Sequence, residues 1–178
     1  MTKDINLVAQ NPQSTVVAQF APSPRRAEHY QSEDTLEKEF IEQLQMQAYE
    51  YLTIHEEADL QLNLRIQLEK INDYQFSYTE WKHFFVNYIA NPAQSIEEKT
   101  KTIQEDYIKI LQRDDGTSKN IYLLDKKDIH NNSLQVINQY TTEDGKRSNR
   151  YDVTVLVNGL PLVHIELKRR GVAIQEAF

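Results

Sequence analysis

Asp152, Glu166 and Lys168 are the residues of this chain whose types and spacing best suit chemistry. They lie in the stretch YDVTVLVNGLPLVHIELK, residues 151–168, which reads as two strands joined at Asn158-Gly159. Asp152 falls on the first strand. Glu166 and Lys168 lie two residues apart on the second, and so share one face. Two carboxylates offer hard oxygen ligands to Mg²⁺, which keeps water at its remaining positions. Such an ion activates an attacking water and offsets charge on a scissile phosphate. A neighbouring amine orients that water or stabilises the transition state. The chemistry this set suits is metal-assisted phosphodiester hydrolysis. The bland alternative is a solvated hairpin edge with an ordinary Glu-Lys pair, because E-x-K is a common triplet.

The alternation of the two strands sets a register. Val163, Ile165 and Leu167 alternate with His164, Glu166 and Lys168; Val153, Val155 and Val157 alternate with Asp152, Thr154 and Asn158, with Leu156 breaking the polar set. For both apolar sets to meet one core, residue numbers paired across the hairpin must sum to an even number. A two-residue Asn158-Gly159 turn pairs Val157 with Leu160, an odd sum, and sends Asp152 to the face opposite Glu166. A three-residue loop, Val157-Asn158-Gly159 with Gly159 left-handed, gives an even sum. Asp152 then faces His164, with Glu166 a diagonal neighbour at roughly 7–8 Å between backbones. Packing therefore predicts the three-residue loop. His164 shares the polar face and is an accessory candidate for touching substrate or metal-bound water, against the plain reading of a surface histidine.

Elements that position this hairpin come earlier in the chain. Residues 1–31 contain three prolines and no apolar periodicity, and are expected to form an extended or partly disordered arm. Asp34-Thr35-Leu36-Glu37 has the form of a capping box, with Asp34 as N-cap and Glu37 reaching back. Leu36, Phe40, Ile41, Leu44, Ala48, Tyr51 and Leu52 then mark one face of a helix to about Leu52. A second helix is predicted over Ala58–Ile71. A third starts at Thr79, with Trp81, Phe84, Phe85, Tyr88 and Ile89 as an aromatic core stripe, and stops before Asn91-Pro92. Ser95-Ile96-Glu97-Glu98 is a further capping box. From Tyr107 the period changes to that of strands, at Tyr107–Leu111, Ile121–Leu124 and Leu134–Tyr140. After Gly171 a helix start at Val172-Ala173-Ile174 runs into Phe178, from which we expect a fragment of something longer.

Composition narrows the classes. At 178 residues with 39% hydrophobic and 26% charged, the chain can bury one domain core. Zero cysteines exclude a disulfide framework and thiolate metal sites. The five histidines are scattered, and His55-Glu56-Glu57 is not the HExxH pattern of a zinc site. No apolar run reaches the roughly 20 residues that span a bilayer, and no secretory signal opens the chain, so no membrane association and a cytoplasmic location are expected. The net charge of −7 argues against a general nucleic-acid-coating protein. Arg150, Arg169 and Arg170 nevertheless cluster about the hairpin, with Lys146 and Arg147 beside them. They are candidates for DNA-phosphate contacts, or else a solvated edge.

With these residues assembled, the pattern resembles the PD-(D/E)xK nuclease superfamily. More narrowly, it resembles the N-terminal endonuclease domain of the R (HsdR) subunit of type I restriction–modification enzymes. The stretches that carry the resemblance are YQSEDTLEKEFIEQLQMQAYEYL, NIYLLDKKDI and NRYDVTVLVNGLPLVHIELKRRGVAIQEAF, which together span about residues 30–178. Tyr151 stands where the superfamily name has Pro, and the family's QxxxY motif is not reached before Phe178. The resemblance implies an α/β fold with a mixed sheet flanked by helices, a nuclease domain over 32–178, and a helical insertion at about 55–104. It places Asp152, Glu166 and Lys168 at the catalytic triad, with Asp152 and Glu166 on Mg²⁺. Glu37 matches an acidic residue near the metal, with helix capping as its alternative role. The implied activity is Mg²⁺-dependent cleavage of double-stranded DNA after translocation by an ATP-driven motor absent from this chain. The implied partners are methylation and specificity subunits. A non-catalytic docking module of the same complex is the alternative.

Overall fold

The computed structural model describes residues 9–16, 32–144 and 147–168, with side chains at 12–13, 32–141 and 150–168. Its centre is a mixed four-stranded sheet in the order β3-β6-β7-β8, formed by Glu50–Tyr51, Leu134–Asp144, Arg147–Val157 and Leu160–Ile165. β3 runs parallel to β6, and the other pairs are antiparallel. Helix α1, Glu33–Met46, covers one face through Ile41 and Leu44 against Val136 and Val153. The other face buries Ile54, Ile137, Tyr140 and Leu156, with Leu52 and Leu60 packed against them. The fold is α/β, as expected. Leu156 interrupts the polar set because both faces of β7 are covered.

Between β3 and β6 lies a second core. Helices α2 (Glu57–Asn72), α3 (Tyr78–Phe84) and α4 (Ile96–Gln104) are followed by the hairpin β4 (Ile108–Gln112) and β5 (Ser118–Tyr122). Leu64, Leu68, Phe76, Phe84, Leu111 and Ile121 form its centre, and the expected aromatic stripe packs on it. After α3 the chain widens into one π-helical turn, Phe85–Ile89, closed by the Ala90 N–H donating to the Phe85 carbonyl at 2.8 Å. Ser95 and Glu98 form the reciprocal cap expected of them, and Ser77 and Glu80 form another.

At α1 the structure corrects the sequence reading. Ser32 is the N-cap, its hydroxyl accepting the Thr35 N–H, while Asp34 pairs with Lys38 at 2.8 Å. With the cap supplied two residues earlier, Glu37 lies inside the helix and is released from capping. The helix also ends at Met46, short of Leu52. Ala48 turns left-handed at φ 67°, and Leu52 donates its N–H to Val136 beside β3. Tyr51 and Leu52 match a helical spacing but are claimed by the sheet edge.

The β7–β8 register is corrected as well. The connection is the two-residue turn, Asn158 (φ 50°) and Gly159 (φ 78°), pairing Val157 with Leu160 and Leu156 with Pro161. A β-bulge then absorbs Leu162, so that Val155 pairs with Val163, Thr154 with His164 and Val153 with Ile165. The even parity that packing demands is thus reached by a bulge beside Pro161, which has no N–H to give the ladder. The ladder ends at Val153 and Ile165, and His164 pairs with Thr154 instead of facing Asp152. The turn is fixed by burial: Asn158, 1% exposed, accepts the Ser133 N–H and donates to the Leu123 carbonyl.

Within the N-terminal arm, β1 (Ala9–Asn11) and β2 (Ser14–Val16) form a hairpin, and the Pro12 carbonyl accepts the Ile129 N–H at 2.8 Å. Residues 1–8 and 17–31, Lys146, Arg169, Arg170 and the expected helix from Val172 lie outside the described residues. The side chain of Arg147 does too. Among the described residues no helix is long and apolar enough to cross a membrane.

Candidate active site

The end of the β7–β8 hairpin gathers the three residues singled out from the sequence. Asp152 accepts the backbone N–H of Leu167 through Oδ2 at 2.7 Å, leaving Oδ1 without a hydrogen bond among the described residues. Lys168 Nζ donates to Glu166 Oε1 at 2.5 Å, with both side chains partly exposed, 26% and 29%. That hydrogen bond holds the Lys168 pKa above the ordinary lysine value; burial opposes the rise, and the fields of Glu166, Glu33 and Asp152 reinforce it. Lys168 is therefore within electrostatic reach of both carboxylates and of the first turn of α1.

Among the described residues no group of three or more His, Asp or Glu side chains is arranged to hold a metal. The available donor set is the pair Asp152 and Glu166. Its oxygen chemistry fits Mg²⁺, an ion that commonly takes one or two carboxylates and keeps its waters.

Glu37 is buried, 7% exposed, and both its oxygens are engaged. Asn138 Nδ2 donates to Oε1 at 2.6 Å and Gln139 Nε2 donates to Oε2. It bridges α1 to β6 and does not cap α1.

His164 faces the α2 side of the sheet. Its partner Thr154 pairs with Ile137, which packs on the α2 side. Thr154 Oγ1 lies 3.0 Å from His164 Nδ1, and the imidazole stacks on Tyr151 at 4.0 Å and 16°. Burial pushes the imidazole pKa down, which favours the neutral ring. Tyr151 also lines a cavity of about 700 Å³ with His55, Glu57, Leu60 and Tyr140. Arg150 is exposed where β7 pairs with Thr141. The sequence reading missed Glu33, Asn138 and Gln139. The adjacent amides of Asn138-Gln139, which break the alternation of β6, were the signal available for two of them.

A family model for the type I restriction enzyme R protein N terminus matches residues 30–178. The chain belongs to this family. Members resembling this R protein N terminus include the endonuclease subunit of the type I restriction enzyme EcoprrI from Escherichia coli, 44% identical over 172 residues. That match covers 96% of this chain and 55% of the relative. The endonuclease subunit of SauMSSORF170P from Staphylococcus aureus strain MSSA476 is 38% identical over 154 residues, 84% of this chain and 16% of the relative. The SsaAORF53P endonuclease subunit of Staphylococcus saprophyticus matches to the same extent. The chain thus spans about half of the first relative and a sixth of the others.

Proposed function

We propose that this R protein N terminus is the DNA-cleaving domain of a type I restriction enzyme, a Mg²⁺-dependent endonuclease with a PD-(D/E)xK core. The observation that carries the reading is the position of Lys168, bonded to Glu166 and within the field of Asp152, at one end of a two-stranded hairpin. In this reading Asp152 and Glu166 hold Mg²⁺. The ion, when bound, supplies an activated water and offsets charge on the scissile phosphate. Lys168, kept protonated by Glu166, orients the attacking water or stabilises the charged transition state. Leu167, through its N–H, keeps the Asp152 carboxylate from rotating away. Arg150 and, beyond the described residues, Arg169 and Arg170 contact DNA phosphates. Residues 32–178 form the nuclease domain, with 55–104 as its helical insertion and 1–31 as an N-terminal arm. The substrate is double-stranded DNA in the cytoplasm. Methylation and specificity subunits are met through the full-length protein, and ATP is used only by the motor of that protein.

The exposed apolar residues Leu62 and Ile66, 56% and 50% exposed and one turn apart on α2, favour a second reading as a docking module. The two readings separate in one experiment. In the full-length subunit assembled with its partners, Asp152→Ala, Glu166→Ala and Lys168→Ala each lower DNA cleavage by about 100-fold or more, while ATP-driven translocation persists. Normal cleavage by the Lys168→Ala enzyme would sink the catalytic assignment and leave docking.

A further inference from the structure

β6 and β7 pair in one unbroken register except at a single position. Asn138 pairs with Val153 and Tyr140 with Tyr151, but the intervening pair, Gln139 with Asp152, is missing from the ladder. Gln139 there adopts φ 53°, the left-handed region that a non-glycine residue avoids. The consequence is a break in side-chain alternation. Ile137 and Tyr140 both pack on the α2 side, while the amides of Asn138 and Gln139 both reach Glu37 of α1.

Each partner is unfavourable without the other. Glu37 buries a carboxylate, which requires donors, and Asn138 and Gln139 supply them. Gln139 holds a disfavoured backbone and leaves its Oε1 buried without a partner. Rotating that amide to satisfy Oε1 would turn oxygen against the Glu37 carboxylate. The orientation of Asn138 is set independently, because its Oδ1 accepts the Tyr51 hydroxyl at 2.8 Å. A backbone outlier persists only where its surroundings over-determine it, and such outliers gather at functional sites. A bulge or kink of this kind also re-aims neighbouring side chains. Here the neighbour is Asp152, whose carboxylate takes the Leu167 N–H. The contact of Asn138 and Gln139 with Glu37 ties α1 to β6, and the first turn of α1 brings Glu33 into the field of Lys168.

We propose that Asn138 and Gln139 are positioning residues that clamp Glu37 and so lock the β6 kink that places Asp152, and α1, around the cleavage site. The proposal rests on the nuclease reading above. It is tested in the full-length subunit assembled with its partner subunits, using three variants beside Asp152→Ala. Gln139→Gly suits the left-handed backbone and removes the amide. Glu37→Gln removes the carboxylate. The exchange Glu37→Gln with Gln139→Glu keeps the charge and restores a donor–acceptor pair. Cleavage rate at saturating DNA, the Mg²⁺ concentration for half-maximal cleavage, translocation and melting temperature are measured together.

The expected result is a loss of cleavage on the order of 10-fold or more in Gln139→Gly and Glu37→Gln, with a raised Mg²⁺ requirement and unchanged translocation. The exchange variant should recover most of the rate. Wild-type cleavage and Mg²⁺ dependence in Gln139→Gly overturn the proposal. So does a loss that merely tracks a lower melting temperature with the Mg²⁺ requirement unmoved. If Gln139→Gly does not fold, Glu37→Gln carries the same test. Should Asp152→Ala also cleave normally, the nuclease reading itself fails; if Asp152→Ala is dead and the clamp variants are normal, only the clamp fails.

Discussion

The carboxylate of Asp152 is held by the backbone N–H of Leu167, the residue between Glu166 and Lys168, at 2.7 Å. A single hydrogen bond thus ties the β7 acid to the segment that carries the other two site residues. Asp152→Asn and Asp152→Ala should therefore separate charge from tether. Asparagine keeps an acceptor for Leu167 and loses the charge; alanine loses both. Both variants should lose metal-dependent cleavage, but only alanine should lose about 1–2 kcal/mol of stability by leaving the N–H unpaired. Urea unfolding beside a cleavage assay measures both. Equal stability of the two variants would show that the tether contributes nothing.

Lys168 gives a pH prediction. Its hydrogen bond to Glu166 holds its pKa above the ordinary value. For a raised group the stabilisation is complete below the unfolded pKa, about 10.4 for lysine, and is lost as pH rises through the higher folded value. Between pH 7 and 9 Lys168 is fully protonated, and any change in cleavage there arises elsewhere. Glu166→Gln should lower the Lys168 pKa toward the ordinary value. Titrating the side-chain nitrogen by NMR in both proteins tests this, and an unmoved midpoint in Glu166→Gln would contradict the pairing.

The hairpin was largely legible in the sequence, because strict alternation leaves few ways to bury Val153, Val155, Ile165 and Leu167 on α1. Parity alone, however, does not reveal how the parity is met. The turn at Asn158-Gly159 with a bulge at Leu162 and a three-residue loop satisfy the same pattern. The choice between them depends on Asn158 bonding to Ser133 and Leu123, contacts from distant segments. The start of α1 was misread for a related reason: Ser32 and Asp34 are both competent caps, and only one can be used. The place of Glu37 depends on a left-handed Gln139, a conformation that no local preference of glutamine announces.

Glu80 makes the helical part of the protein acid-sensitive. Burial raises its pKa, but the N–H groups of Ser77 and Asp114 and the Tyr74 hydroxyl outweigh that and hold it below the ordinary carboxylate value. For a depressed group the stabilisation is present above the unfolded pKa, about 4.3 for glutamate, and is lost as pH falls through the lower folded value. Glu80→Gln should therefore cost about 1.5–3 kcal/mol near neutral pH and progressively less below about pH 4. Chemical unfolding at several pH values measures it. A cost independent of pH would mean that shape, not charge, is what Glu80 supplies.

Gly159 and Gly116 share a backbone conformation and differ in surroundings, which makes them a controlled pair. Their φ angles are 78° and 82°. A Cβ on Gly116 would meet open space, whereas one on Gly159 would lie 2.6 Å from the Leu64 Cα. Gly116→Ala should cost only the left-handed penalty, about 1–2 kcal/mol. Gly159→Ala adds a collision with helix backbone, which cannot turn aside as a side chain can, and should cost about 4 kcal/mol or more. Relief would require the turn to lift off α2, shifting the bulge and with it the β7–β8 register that leads to the Asp152–Leu167 contact. Gly159→Ala should accordingly lower cleavage even in the fraction that folds, while Gly116→Ala leaves it unchanged. Urea unfolding of both variants, with cleavage normalised to folded protein, decides the matter; equal losses in the two would show that the contact with Leu64 does not set the hairpin's place.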